Sequence, residues 1–290
     1  MDKDLTKFQE TKQAAEKKVK IGIGLVLLAV IAFFALGGYG IIGAVVVGLP
    51  AIVLIGIGFA SFKKVSDAFK HEVLTDLVAS FVDNGVFDPD RGLDMTTVYG
   101  TEFLKRADRS HTEDFLSGSM DGVEFVSSDV KLEERHVEHT KNGTRTTWET
   151  YFLGRVFVFE FNKSFDGYLQ VLEGGRPVVK RKYSKVKLES VAFNKKFKTY
   201  ATSEHEAFYV LTPHFMEALM TFEQNNKGRI MFSFIDSKLY IGINNFRDTF
   251  ELRMFRALDE STFDEFKREL LVVQEVISEL KLNNNIFKKE

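Results

Sequence analysis

No cysteine occurs in the chain, which excludes disulfides and thiolate metal sites and is compatible with a reducing compartment. The patterns that announce common catalytic sites are missing too. There is no G-x-S-x-G nucleophile elbow, no P-loop, no G-x-G-x-x-G after a strand and no H-E-x-x-H helix. From Ile21 to Phe62 there is no Asp, Glu, Lys, Arg or His, so this stretch lacks the side chains that mark an ion path or proton relay inside a membrane. Tryptophan occurs once against 29 phenylalanines. Most of the phenylalanines fall outside the uncharged stretch and imply a sizeable core built on aromatic strand faces.

That uncharged stretch organises the rest. As one helix it would be about 63 Å long, roughly twice the thickness of a bilayer's hydrocarbon core, so it accommodates two spans. Gly37-Gly38-Tyr39-Gly40 is the place to fold it, giving a hairpin of Ile21 to Leu36 and Ile41 to Phe62. Lys12, Lys17, Lys18 and Lys20 precede the first span, and Lys63, Lys64 and Lys70 follow the second. By the positive-inside rule both ends are cytoplasmic, which in a bacterium means a multi-pass protein of the inner (plasma) membrane. A cleaved signal peptide would leave the second apolar run unexplained. Gly40, Ala44 and Gly48 place small side chains at every fourth residue, a face suited to the first span or to a second copy. Pro50 falls within the second span and removes a backbone donor there.

Met1 to Lys20 reads as a charged lead, helix-permissive but too polar to bury anything. After the hairpin, Phe69, Val73, Leu77 and Phe81 recur at four-residue steps and predict one amphipathic helix from Val65, stopped at Asn84-Gly85. A short helix is expected from about Thr96 to Ala107. Strand-like sequence begins after Asp121-Gly122: Val123 to Val137 and Thr146 to Phe161 form a long hairpin about Asn142-Gly143, with Phe157, Phe159 and Phe161 on one face and Val156 and Val158 on the other. Shorter strands are expected at Gly167 to Leu172, Val178 to Tyr183 and Lys185 to Val191. Thr212-Pro213 opens a helix that stops near Asn225. Ile230 to Phe234 and Leu239 to Ile243 pair around Asp236-Ser237, and Thr249 to Phe255 gives a last strand. The final helix has Thr262 as cap and Glu265 at the capping-box place. Its stripe of Phe263, Phe266, Leu270, Val273, Ile277 and Leu280 spans under three heptads, which favours docking on a sheet over a coiled coil between copies, while oligomerisation stays open.

Candidate ligand sets are weak. Asp88, Asp90 and Asp94 suggest calcium until the spacing is checked: Gly92 is fifth instead of sixth, and Tyr99 stands where an EF-hand needs glutamate. His136 and His139 fall on opposite faces of a strand. Glu204-His205-Glu206, with His214 further on, is another cluster of ligand types, and its plain reading is a polar turn before a strand from Ala207 to Leu211. No metal or cofactor is assigned. Asn142-Gly143-Thr144 and Asn162-Lys163-Ser164 match the glycosylation pattern, but a cytoplasmic domain would not present them to that machinery.

The charge is unevenly spread. Between Arg176 and Lys198 nine basic residues stand against Glu189 alone, so this stretch is +8 and the remainder, by difference from a net −2, is −10. Lysines on solvated strand faces and edges discourage aggregation. A domain tethered beside the inner leaflet could also turn Arg176, Lys180, Lys182, Lys185, Lys187, Lys195, Lys196 and Lys198 toward anionic lipid headgroups or a protein partner. Nucleic acid is the weaker reading, because no recognised module accompanies the patch and the whole chain is slightly acidic.

The order of parts and the phrase from Val178 to Leu219 resemble a bacterial membrane-protein family labelled domain of unknown function 3137. FDPDRGLD (Phe87 to Asp94), DFLSGSMDGVEF (Asp114 to Phe125) and FLGRVFVFEFNK (Phe152 to Lys163) match in the same order. The resemblance implies a two-span membrane protein with a cytoplasmic α/β domain, and it brings no catalytic or binding residues. The fold class read from the residues is α+β: an N-terminal transmembrane helical hairpin followed by a mainly antiparallel β soluble domain with flanking helices. The expected division is a cytoplasmic lead (1–20), the hairpin (21–62) and a cytoplasmic α+β domain (63–290). The expected function is a membrane-tethered scaffold or sensor. The alternative is a membrane-bound hydrolase or transferase with a site near His205.

Overall fold

The charged lead and the first apolar run form one helix, α1 (Asp2–Ala35), and the second run forms α2 (Gly40–Phe69). The computed structural model describes residues 2–35, 40–141, 143–160, 167–179 and 183–283. The turn residues Gly37, Gly38 and Tyr39 lie outside that description, as do Asn142, Phe161, Asn162, Lys163 and Ser164. The chain divides into one unit of Met1–Leu74 with Glu251–Glu265 and another of Thr75–Phe250 with Phe266–Glu290.

In the first unit α1 and α2 pack through small residues. A Cβ added to Gly22 would meet Ile55 at 2.5 Å and the Ala51 carbonyl at 3.0 Å; one added to Gly58 would meet Val19 at 2.5 Å and the Ala15 carbonyl at 3.1 Å. Glycine here is a requirement of backbone approach, which adds dispersion contacts along both helices. Gly40 is buried and Gly48 faces Ala29, so the small-residue stripe serves the partner span. Ile23, Leu27, Ile31, Phe34, Ile42, Val46, Leu49 and Val53 point away from the seam and are exposed. Both helices are long and apolar enough to cross a membrane.

The second unit is built on a nine-stranded antiparallel sheet: β1 (Asp83–Asp88), β2 (Arg109–Met120), β3 (Val123–Thr140), β4 (Gly143–Glu160), β5 (Tyr168–Leu172), β6 (Ser184–Val186), β7 (Lys198–Ala201), β8 (Arg229–Ile235) and β9 (Lys238–Asn244). Their spatial order is β1-β2-β3-β4-β9-β8-β5-β7-β6. The long hairpin pairs Phe125 with Phe159 and runs out to Thr140 opposite Gly143. The β8–β9 turn puts Asp236 and Ser237 at φ 48° and 59°, the double left-handed step that suits strand twist. The described helices of this unit are α3 (Thr75–Phe81), α4 (Met95–Gly100), α5 (Val191–Lys196), α6 (Glu204–Val210), α7 (Pro213–Asn225) and α8 (Glu260–Glu279) from Phe266 onward; a π-helical turn, Lys70–Leu74, ends the first stretch of the other unit. One sheet face carries Leu93, Val98, Phe103 and Leu104 against Leu132, Phe152, Val156 and Met231. On the other, Phe232 meets Phe197 and Phe222, and Phe234 meets Phe215. In α8, Phe266 stacks on Phe250, while Leu270, Val273 and Ile277 are buried, the docking outcome expected of that helix.

Several expectations are corrected. The helix through Val65 continues from α2 by way of a π-helical turn, but it ends at Phe81, and Asn84-Gly85 belongs to β1. The helix expected from Thr96 to Ala107 ends at Gly100 and is capped by Asp94, whose carboxylate takes the Thr97 amide at 2.9 Å. β1 and β2 were not expected, because their sequences are polar and irregular; β2 is broken by a bulge at Asp114, φ 55°. Residues 178, 179 and 183 are not strand, and 180–182 lie outside the description. The strand from Lys185 stops at Val186, since Ser190 caps α5 through the Phe193 amide. Ala207 to Val210 is helical because Ser203 caps α6 in the same way, and Leu211 is the C-cap. Thr249 to Phe255 is irregular. Asp259, not Thr262, caps α8, its carboxylate accepting from the Thr262 amide at 3.2 Å. The Ser261 hydroxyl and then that amide hold the Asp259 carboxyl below its ordinary range.

The Cβ position at Gly48 stands 3.8 Å from that of Ala29, a separation typical of a disulfide. The A29C/G48C variant of this cysteine-free chain is therefore expected to oxidise to a crosslink within one molecule, seen as a faster band on a non-reducing gel. G58L should lower the yield by forcing the helices apart. Crosslinking only between molecules would place the seam between copies instead.

Candidate functional site

The most unusual chemistry in the first unit lies at the base of the hairpin. Lys12 and Glu16 are 3 % and 7 % exposed on α1, a placement that overturns the expectation of a lead too polar to bury. They pair with one another, and each also holds the returning segment 251–265. The Lys12 ammonium donates to the Arg256 carbonyl at 2.6 Å, and the Glu16 carboxylate accepts from the Phe255 amide at 2.8 Å. On α2, Ser66 donates to Glu251 at 3.2 Å, and the Lys70 ammonium, in the π-helical turn, lies 2.5 Å from the same carboxylate. Phe69 joins Phe8 and Phe263 in an aromatic cluster. Glu265 pairs with both Arg253 and Arg256, so the expected capping-box residue serves instead to close the returning loop. Phe255 adopts φ 65°, a left-handed conformation that costs a bulky residue about 1–3 kcal/mol and persists only where its surroundings impose it.

In the second unit the described members of the basic stretch are spread over several elements. Lys185 lies on the edge strand β6 and Lys187 just beyond it, both exposed, while Val186 and Leu188, which alternate with them, are buried. The pairing of Val186 with Thr199 sets Lys187 and Lys198 at neighbouring positions. Arg176 and Lys195 are exposed. Lys196 is bound 3.1 Å from Glu173 and 2.5 Å from Glu223. The Glu223 contact and then the Glu173 contact hold its ammonium above the ordinary lysine range, so Lys196 is engaged internally. Lys180 and Lys182 lie outside the described residues.

His205 and His214 are exposed on α6 and α7. Glu206 accepts from the Thr202 hydroxyl at 2.7 Å, an ordinary first-turn contact. His136 pairs with Glu149 across the exposed part of the β3–β4 hairpin at 2.8 Å. A tighter carboxylate group, Asp114, Asp129 and Asp248, was not seen in the sequence; their oxygens lie within 4.8 Å of one another. Arg155, 4 % exposed, donates to Asp129 at 2.8 Å and to the Asp114 carbonyl at 2.8 Å. The second Asp129 oxygen accepts from the Thr249 amide at 2.8 Å. Both oxygens of Asp129 are thus engaged, so the buried Arg155–Asp129 pair ties the β2–β3–β4 bulge region to Thr249, while Asp248 is exposed. Strand periodicity gives no hint of it, because the residues come from four separate segments.

Residues 150–282 match the model of a family described as a protein of unknown function (DUF3137). The chain resembles that family. The match contains the phrase from Val178 to Leu219 and the strand sequence from Phe152, whereas the phrases starting at Phe87 and Asp114 precede it. No curated protein matches the chain. Among solved structures, the mycobacterial trehalose monomycolate transport factor A, TtfA, aligns at 8 % identity with a TM-score of 0.37, over 69 % of this chain and 88 % of that one.

Removing Glu16 leaves the buried Lys12 ammonium without its carboxylate, a loss that costs about 3–5 kcal/mol for buried pairs. E16A is expected to release the loop and accelerate tryptic cleavage after Arg253 and Arg256. K12M/E16M, which removes both charges while filling the space, should bring cleavage back toward the wild-type rate. Equal cleavage of all three proteins would show that the pair does not hold the loop.

Proposed function

We propose that the chain is a membrane-tethered scaffold or sensor of the bacterial inner membrane, with both termini cytoplasmic. In this reading the hairpin holds the sheet-bearing unit at the inner leaflet, where it binds a protein partner or the anionic lipid surface. The observation that carries it is the pair of apolar helices, exposed along their outer faces, free of Asp, Glu, Lys, Arg and His from Ile21 to Phe62 and bordered by Lys20, Lys63 and Lys64. A spanning pair without charges anchors but does not conduct or relay protons. The exposed Lys185, Lys187 and Lys198 support contact with anionic headgroups, each such lysine contributing about 1 kcal/mol near the surface. A hydrolase or transferase at His205 gains no support from an exposed imidazole on α6.

Topology is tested with single cysteines at Lys3, Tyr39 and Lys288 and an impermeant thiol reagent. In intact cells only the cysteine at Tyr39 should react; labelling at Lys3 or Lys288 would reverse the orientation. Leaflet contact is tested on the full chain in nanodiscs by amine labelling followed by mass spectrometry. Lys185, Lys187 and Lys198 should be less reactive in anionic than in zwitterionic discs at low salt, and the difference should vanish as salt rises. Identical reactivity in both discs would leave a protein partner as the surface's destination.

A further inference from the structure

Arg253-Met254-Phe255-Arg256 has an arrangement that the scaffold reading does not use. The loop belongs to the same unit as the hairpin and is fixed to α1 by the Glu16 carboxylate on the Phe255 amide and the Lys12 ammonium on the Arg256 carbonyl. The Phe255 ring is not folded into a core: it is 49 % exposed. It lies beneath the Lys20 ammonium, 5.4 Å from the ring centroid. Glu16 and Lys20 are one turn apart on α1, about 6 Å along the axis, and Ile21 begins the uncharged run. The backbone of Phe255 is thus held by Glu16 while its ring lies against the ammonium of Lys20, the last charge before the apolar run. Arg253 and Arg256 flank it, both pinned by Glu265.

An exposed phenylalanine alone needs no explanation. This one sits in a left-handed backbone conformation, φ 65°, in a segment tied down by a buried ion pair, and its ring meets the last charge before the uncharged run. Such strain at an exposed aromatic points to a binding role. We propose that the loop is an interfacial anchor, in which the Phe255 ring enters the boundary between headgroups and acyl chains while Lys20 faces lipid phosphates. An apolar body with cations beside it is the composition that partitions to that depth. The occupant is the lipid surface, because the loop is fixed at the end of the segment read as crossing that same leaflet. The inference rests on the two-span reading, and its test separates the two.

The full-length chain carrying W148F has no other tryptophan, so F255W and, separately, L28W report one position each. Both are reconstituted in liposomes containing lipids brominated either near the carbonyl or deep in the acyl chain. The indole of F255W should emit to the blue of an exposed indole and lose most of its emission to the shallow quencher, with less loss to the deep one. The indole of L28W should be quenched by acyl-chain bromine. If L28W is not quenched, the spanning reading falls and the anchor with it. If L28W is quenched while F255W is unquenched and red-emitting, the anchor alone is overturned. Blue emission from F255W without quenching by either lipid would mean that a protein surface covers the ring, which also overturns it.

Discussion

A lysine buried where two apolar helices meet water must find a carboxylate, and much of the first unit follows from how Lys12 finds one. Glu16 stands four residues on, the spacing that makes helix neighbours, and the two charges neutralise each other with almost no access to solvent. A bare pair would not recover its desolvation. Each member therefore takes a backbone partner from the returning segment, Lys12 the Arg256 carbonyl and Glu16 the Phe255 amide. Those two bonds bring residues more than 230 positions away in sequence onto α1.

The parts of the fold governed by local rules were legible. Absence of charge from Ile21 to Phe62 gave the two apolar helices, Asp236-Ser237 gave a hairpin turn, Thr212-Pro213 gave the start of α7, and the spacing of Phe266, Leu270, Val273 and Ile277 gave the buried face of α8. Errors arose where a side chain chose between two backbone uses. Ser190 and Ser203 cap helices in stretches whose alternation looks like strand, and Asp259 takes the capping role expected of Thr262. β2 hid because a strand half exposed and broken by a bulge needs no regular apolar alternation.

The candidate sites divide in the same way. Exposed Lys185 and Lys187 flanking buried Val186 and Leu188 follow from the two-residue period of an extended chain. That Lys196 is drawn off by Glu173 and Glu223 could not be read, since those acids come from β5's end and from α7. The Lys12–Glu16 pair was hidden for a related reason: on a helix an i,i+4 lysine–glutamate pair ordinarily marks the solvated face. What reverses the inference is the company of Ala15 and Val19, both 1 % exposed, whose small and apolar side chains continue the seam of the spans into the charged lead.

That continuity explains why a polar pair belongs at this place. A seam of glycine and alanine allows close approach but discriminates poorly between registers, because small residues at three- and four-residue steps meet again after a shift of one turn. Gly22 against Ala51 and Gly58 against Ala15 are contacts of this interchangeable kind. The bonds from Lys12 and Glu16 are not interchangeable: a carbonyl and an amide stand at one height on the returning segment, and a one-turn slip of α1 would leave both charges buried without them. A penalty of several kcal/mol for a stranded charge is large against dispersion contacts worth about 0.1–0.2 kcal/mol each. The small residues therefore set how near the helices come, and the ion pair sets where along its length α1 meets the returning segment.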